Sequence, residues 1–73
     1  MKADYVVAED WEGIYIDDKL QLEGHSIQTP DAMKLTIENE VTELTVYKID
    51  QEYMEELGSL PESFSQLDSS KLF

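Results

Sequence analysis

Ile14-Tyr15-Ile16-Asp17-Asp18-Lys19-Leu20-Gln21-Leu22 is the stretch that decides the fold. Two short runs of aliphatic and aromatic residues flank three polar ones, the pattern of a β-hairpin. A three-residue loop at 17–19 opposes Ile16 to Leu20 and Ile14 to Leu22, putting all four on one face. A two-residue loop spoils that face, so the register favours three. Asp18 or Lys19 must then take the left-handed position that glycine or asparagine usually fills.

Upstream, Tyr5-Val6-Val7-Ala8 reads as a short edge strand, and Glu9-Asp10-Trp11-Glu12-Gly13 as an acidic connection holding the single tryptophan. Downstream, Glu23 to Gln28 ends the hairpin. Thr29-Pro30-Asp31 starts a helix, with a hydroxyl cap, a proline at the first helical position and an acid in the first turn. Met33, Ile37 and Val41 follow at four-residue spacing beside Ala32, an apolar stripe that carries the helix to about residue 40. A competing pattern makes Leu35, Ile37 and Val46 parts of two strands turning at Asn39-Glu40; the complete start signal favours the helix.

Glu43 to Ile49 is a strand with apolar residues on both faces, which predicts a central place in the sheet. Asp50 caps a short helix, Gln51 to Leu57, which Gly58 stops. Its buried side is Tyr53, Met54 and Leu57; Glu52, Glu55 and Glu56 cluster in water. Leu60, Phe64 and Leu67 repeat at helical spacing, and residues 68–73 read as a disordered tail. The order predicts one α+β domain over residues 1–67. It has a small, mainly antiparallel sheet of three to four strands, a ββ-hairpin–α–β core, and one or two short helices on one face.

A chain of 73 residues builds only a thin core, and without cysteine no disulfide or thiolate metal site supports it. Self-association is therefore expected as one route to stability, with the edge strand and the terminal Leu72-Phe73 as its surfaces. Seventeen acids face five lysines and no arginine, a formal charge of −12. Nucleic acid and anionic membrane repel such a chain, and basic surfaces attract it. No apolar run approaches the roughly 20 residues of a membrane span, and the first residues lack a signal core, so the expected compartment is the cytoplasm.

Catalysis needs a nucleophile, a base or a metal in a dry pocket. The chain has one histidine, His25, set beside Ser26 where neighbouring side chains point apart, so it reads as a turn residue bonding a local carbonyl. Asp17-Asp18 is the best carboxylate pair for a divalent ion, but it lacks the spacing of a calcium loop and reads as turn chemistry. No enzyme activity, metal or cofactor is expected. What remains is surface. Glu9, Asp10 and Glu12 ring Trp11, Asp17 and Asp18 lie beyond Tyr15, and Glu52, Glu55 and Glu56 share a helix face. These residues are the expected partner-binding set, with Trp11 or Tyr15 as anchor.

Asp10-Trp11-Glu12-Gly13-Ile14-Tyr15-Ile16-Asp17-Asp18-Lys19-Leu20, Gly24-His25-Ser26 and Leu57-Gly58-Ser59-Leu60-Pro61 resemble a group of short proteins from phages and bacteria. In those, a Trp-Glu-Gly-Leu-Tyr strand turns through Asp-Gly-Lys and ends at Gly-His-Ser; here Asp18 stands for the turn glycine. That resemblance implies membership and carries no activity with it. The order of hairpin, helix and strand ending at Lys48-Ile49-Asp50 is also similar to the small phage inhibitors of uracil-DNA glycosylase. This second likeness implies an acidic mimic of DNA, one type of which acts as a dimer. The expected function is thus a non-catalytic binding protein, an inhibitor that occupies a basic surface on a nucleic-acid-processing or defence protein. The alternative is a small structural or adaptor module working through apolar contacts or as a homodimer.

Overall fold

The computed structural model describes residues 1–73 and has an α+β fold. Its strands are β1 (Lys2–Val7), β2 (Glu12–Ile16), β3 (Lys19–Gly24) and β4 (Glu43–Lys48), and its helices α1 (Thr29–Glu38) and α2 (Gln51–Leu57). The four strands form one sheet in the order β3-β2-β1-β4. The hairpin and the β1–β2 pair are antiparallel, whereas β4 runs parallel to β1 after the crossover through α1. The sheet is therefore mixed. β1 lies inside it rather than at an edge, and β4, expected in the centre, is an edge strand. Mixed flanks on β4 reflect a strand whose apolar residues are not all covered: Leu44 and Val46 are exposed.

The hairpin closes through two residues, not three. Asp17 (φ 47°) and Asp18 (φ 73°) both occupy the left-handed region, and Ile16 pairs with Lys19. This is the primed turn geometry whose twist matches that of paired strands, and aspartate is among the residues that tolerate it. Tyr15 then pairs with Leu20, while Ile14 still pairs with Leu22, because a bulge takes up Gln21. The two-residue turn puts Leu20 on the face of Tyr15, and the bulge returns only Leu22 to the face of Ile14, so the four aliphatic residues do not share one face.

Each face of the sheet carries its own core. On one, Val6, Tyr15, Ile49, Met54, Leu60 and Leu67 pack together, covered by α2 and the C-terminal segment. On the other, Ala3, Ile14 and Ile16 are covered by Ile27, by Ala32 and Leu35 of α1, and by Val41. The two helices thus lie on opposite faces, which corrects the expected one-sided layer. Two half-cores explain how so short a chain buries apolar residues on both sides of β1 and β2. Gly13 marks the closest approach: a Cβ there would overlap Leu60 Cδ1, so the strand lets the chain cross only because the side chain is missing.

In α1 the stripe is turned from its expected place. Ala32 and Leu35 face the sheet, while Met33 and Ile37 are exposed (57% and 72%). Thr29 is the first residue of the helix and Gln28 its cap, with no side-chain capping bond. α2 has the expected limits, with Gly58 at φ 74° donating its N–H to the Met54 carbonyl at 3.1 Å. Short 3-10 turns cover Phe64–Gln66 and Ser69–Lys71, Leu72 packs on the larger core, and Phe73 exchanges both backbone hydrogen bonds with Lys48. Asp68 accepts from Ser70 N (3.0 Å) and Oγ (2.7 Å), bonds that hold its carboxyl below the usual carboxylate range. No helix is long and apolar enough to cross a membrane.

Candidate functional site

The β1–β2 connection runs against the start of α2, and Gln51 is the clasp. The Glu9 N–H donates to Gln51 Oε1 at 3.0 Å, and Gln51 Nε2 donates to Asp10 Oδ1 at 3.1 Å. The Asp10 carbonyl accepts from His25 Nδ1 at 3.1 Å, so the histidine does bond a carbonyl, though one 15 residues away. Its ring stands edge-on to Trp11 with centroids 5.0 Å apart. Trp11 is half-buried against the larger core, and its Nε1 donates to Glu23 Oε1 at 3.1 Å. The same carboxylate oxygen accepts the Leu60 N–H at 3.3 Å.

This clasp joins two acidic groups that lie about forty residues apart in sequence. Asp10, Trp11, Gln51, Met54, Glu55 and Gly58 line one groove of about 230 Å³. Glu52, Glu55 and Glu56 are all exposed on α2, as their helical spacing predicts, and Glu9 and Asp10 are exposed beside its first turn. The molecule's single ion pair, Lys34–Glu38 at 3.8 Å, lies on α1, and none of these acids has a lysine within ion-pair distance. Glu23 belongs to the site and was not anticipated. The alternation of Leu20, Gln21, Leu22 and Glu23 along a strand could have pointed to it only if the bulge at Gln21 were known.

The remaining expected residues are placed elsewhere. Glu12 points to the opposite face, where its carboxylate accepts from the Tyr5 hydroxyl and from the Ile27 N–H at 3.4 Å. Burial, with help from that bond, pushes the Tyr5 phenol up to about 12. Tyr15 is wholly buried, donates its hydroxyl to the Pro61 carbonyl at 2.7 Å and stacks edge-on to Phe64. Burial raises its phenol well above the usual value. A residue so enclosed is a core post with no surface to offer a partner. Asp17 and Asp18 are exposed but engaged: Asp17 Oδ1 accepts the Lys2 N–H at 3.2 Å, and Asp18 accepts the N–H (2.7 Å) and hydroxyl (2.9 Å) of Ser65. They tie the hairpin to the N-terminus and to the C-terminal turn, and neither adjoins the groove beside α2.

No three histidine, cysteine or acidic side chains stand close enough to hold a metal ion together. The chain matches no family model, no curated protein and no solved structure. The geometry of the site is a half-buried indole rimmed by carboxylates.

Proposed function

We propose that this is a non-catalytic binding protein whose acidic end seats on a basic surface of a partner protein. Glu9, Asp10, Glu23, Glu52, Glu55 and Glu56 supply steering, and Trp11 supplies the anchor. The observation that supports this is the meeting of Asp10 and Glu55 at one groove over Trp11 and Met54, with no lysine paired to either. Glutamates three and four apart on a helix, with Cβ atoms about 5–6 Å from one another, present a row of carboxylates that can stand in for phosphates. The best-matched partner surface is therefore one built for nucleic acid, on a nucleic-acid-processing or defence protein, which this protein would block as duplex DNA does.

The test is capture of partners on the immobilised protein, eluted first with duplex DNA and then with salt, beside an unrelated protein of equal charge. A DNA-binding protein released by DNA and absent from the control is the expected result. Its affinity should fall at least tenfold between roughly 50 and 500 mM salt, since paired charges at an exposed rim are screened. Binding of equal strength at both salt concentrations would overturn the proposal.

A further inference from the structure

The groove beside α2 has a floor as well as a rim. Trp11 and Met54 form the floor, and both pack into the larger core. The Trp11 indole is fixed at its Nε1 edge by Glu23 and stands against the His25 ring. Gln51 and Glu55 lie one turn apart on α2, and Gln51 in turn holds Asp10 across the gap. That bond uses only Oδ1 of Asp10; its Oδ2 and the whole Glu55 carboxylate have no partner in the fold. Where α2 ends, Gly58 leaves the mouth open, since a Cβ there would meet nothing within 4 Å.

Carboxylates alone would make a solvated face. Here they stand over apolar side chains, and an occupant has to satisfy both. The volume of about 230 Å³ falls below the roughly 300–1,000 Å³ of a small-molecule site, so the groove is too small for a cofactor and of a size for one side chain. No third acid or histidine joins Asp10 and Glu55 at metal-binding distance. A long methylene stem that ends in a cation matches floor and rim together.

We infer that this groove receives one arginine side chain projecting from the partner protein. Its stem lies along Trp11 and Met54, and its guanidinium bonds Asp10 Oδ2 and the Glu55 carboxylate. The inference rests on the reading of the acidic end as a seat for a basic surface, and it names the contact at the centre of that seat. Arginine is favoured over lysine on two grounds. Its planar fork carries five N–H donors, enough for two carboxylates at once, whereas an ammonium is a point charge with three. It is also the more weakly hydrated cation, so lying against an indole costs it less. A surface built for nucleic acid holds such arginines ready for phosphates.

The probes are acetylated, amidated oligo-arginine and oligo-lysine peptides of equal length and charge. Calorimetry on the full chain gives their affinities, and the emission of Trp11, the molecule's single tryptophan, reports whether a peptide lies at this groove. Asp10→Asn and Glu55→Gln each remove one charge from the groove, and the first keeps an acceptor for Gln51. Glu43→Gln removes an equal charge at the opposite end of the sheet, beside Lys2. Circular dichroism confirms that each variant is folded; Glu55 is exposed and makes no bond, so its variant keeps the test decisive. The expected result is a saturable change in Trp11 emission, with the arginine peptide bound about fivefold more tightly than the lysine peptide. Each groove variant should bind the arginine peptide about tenfold more weakly, against less than about twofold for Glu43→Gln. Unchanged emission on binding, equal affinity for the two peptides, or the same loss in all three variants overturns the inference and leaves the acidic end as a diffuse charged surface, with the proposed function standing. Failure of both peptides to bind even at low salt overturns the proposed function as well.

Discussion

Asp4 is the residue whose chemistry and position disagree most. It lies on β1 between Tyr15 and Thr45, only 4% exposed, and its Oδ1 has no hydrogen-bond partner. Burial raises its carboxyl above the ordinary value; nearby Lys2 pulls it down, and Glu43 and Asp18 push it up again. A carboxyl that titrates higher in the fold than in the unfolded chain binds its proton more readily when folded. It therefore costs stability at neutral pH, and the cost fades as pH falls through the raised value toward 3.8. Asp4→Asn should raise the melting temperature at neutral pH by several degrees, roughly 1 kcal/mol for a domain of this size. The gain should shrink at low pH, where the wild-type carboxyl is already neutral. Melting curves across the acid range decide it, since an equal gain at every pH would mean that the charge at Asp4 is not the cause. Nothing in the sequence marked Asp4, because the apolar run that reads as a strand starts at Tyr5 and leaves it outside, whereas β1 starts at Lys2. The exposed acids of α2 were legible for the complementary reason: helical spacing alone separates Glu52, Glu55 and Glu56 from Met54. Tyr15 was misread because an aromatic beside acids looks like an anchor until Leu60, Pro61 and Phe64 close over it.

At the scale of elements, the hairpin turn shows how two identical residues differ. Both aspartates sit at positive φ, but Asp17 accepts one bond from a backbone N–H, whereas Asp18 accepts two from Ser65 and holds the C-terminal turn. Asparagine tolerates the left-handed region at least as well and keeps one acceptor. Asp17→Asn should therefore be neutral within about 0.5 kcal/mol. Asp18→Asn cannot accept on both sides, and should cost about 1–2 kcal/mol by losing a charge-assisted bond. Denaturant unfolding of the two variants, with unchanged slope, measures the difference; equal losses would show that the Ser65 clamp contributes nothing. The existence of the hairpin, the two helices and β4 could be read from periodicity and breakers. The order of strands could not. Parallel pairing of β1 with β4 is a contact across some forty residues, set by which faces find cover, and local pattern is blind to it. The same blindness hid the rotation of α1. Met33, Ile37 and Val41 make the greasier stripe, yet of these only Val41, past the end of the helix, joins Ala32 and Leu35 over Ala3, Ile14 and Ile16.

For the molecule as a whole, the excess of acid is a cost carried everywhere and concentrated at α2. Glu52 faces Glu55 and Glu56 across one turn, and no basic residue occupies the last turn of the helix, where the carbonyl ends favour a cation. Glu56→Lys places a cation there and pairs it with Glu52 in the favoured orientation, four residues on. The variant should be more stable by about 0.5–1 kcal/mol at low ionic strength, with most of the gain lost near 1 M salt. The wild type should itself melt higher as salt is added, since it has many repulsions to screen and a single exposed ion pair to lose. If Glu56→Lys is more stable but weakens capture of the basic partner, the acidic end is kept for binding at the expense of stability, as sites generally are. If it is more stable and binds the partner as well as the wild type, Glu56 serves solubility alone, and the contact rests on the other carboxylates around Trp11.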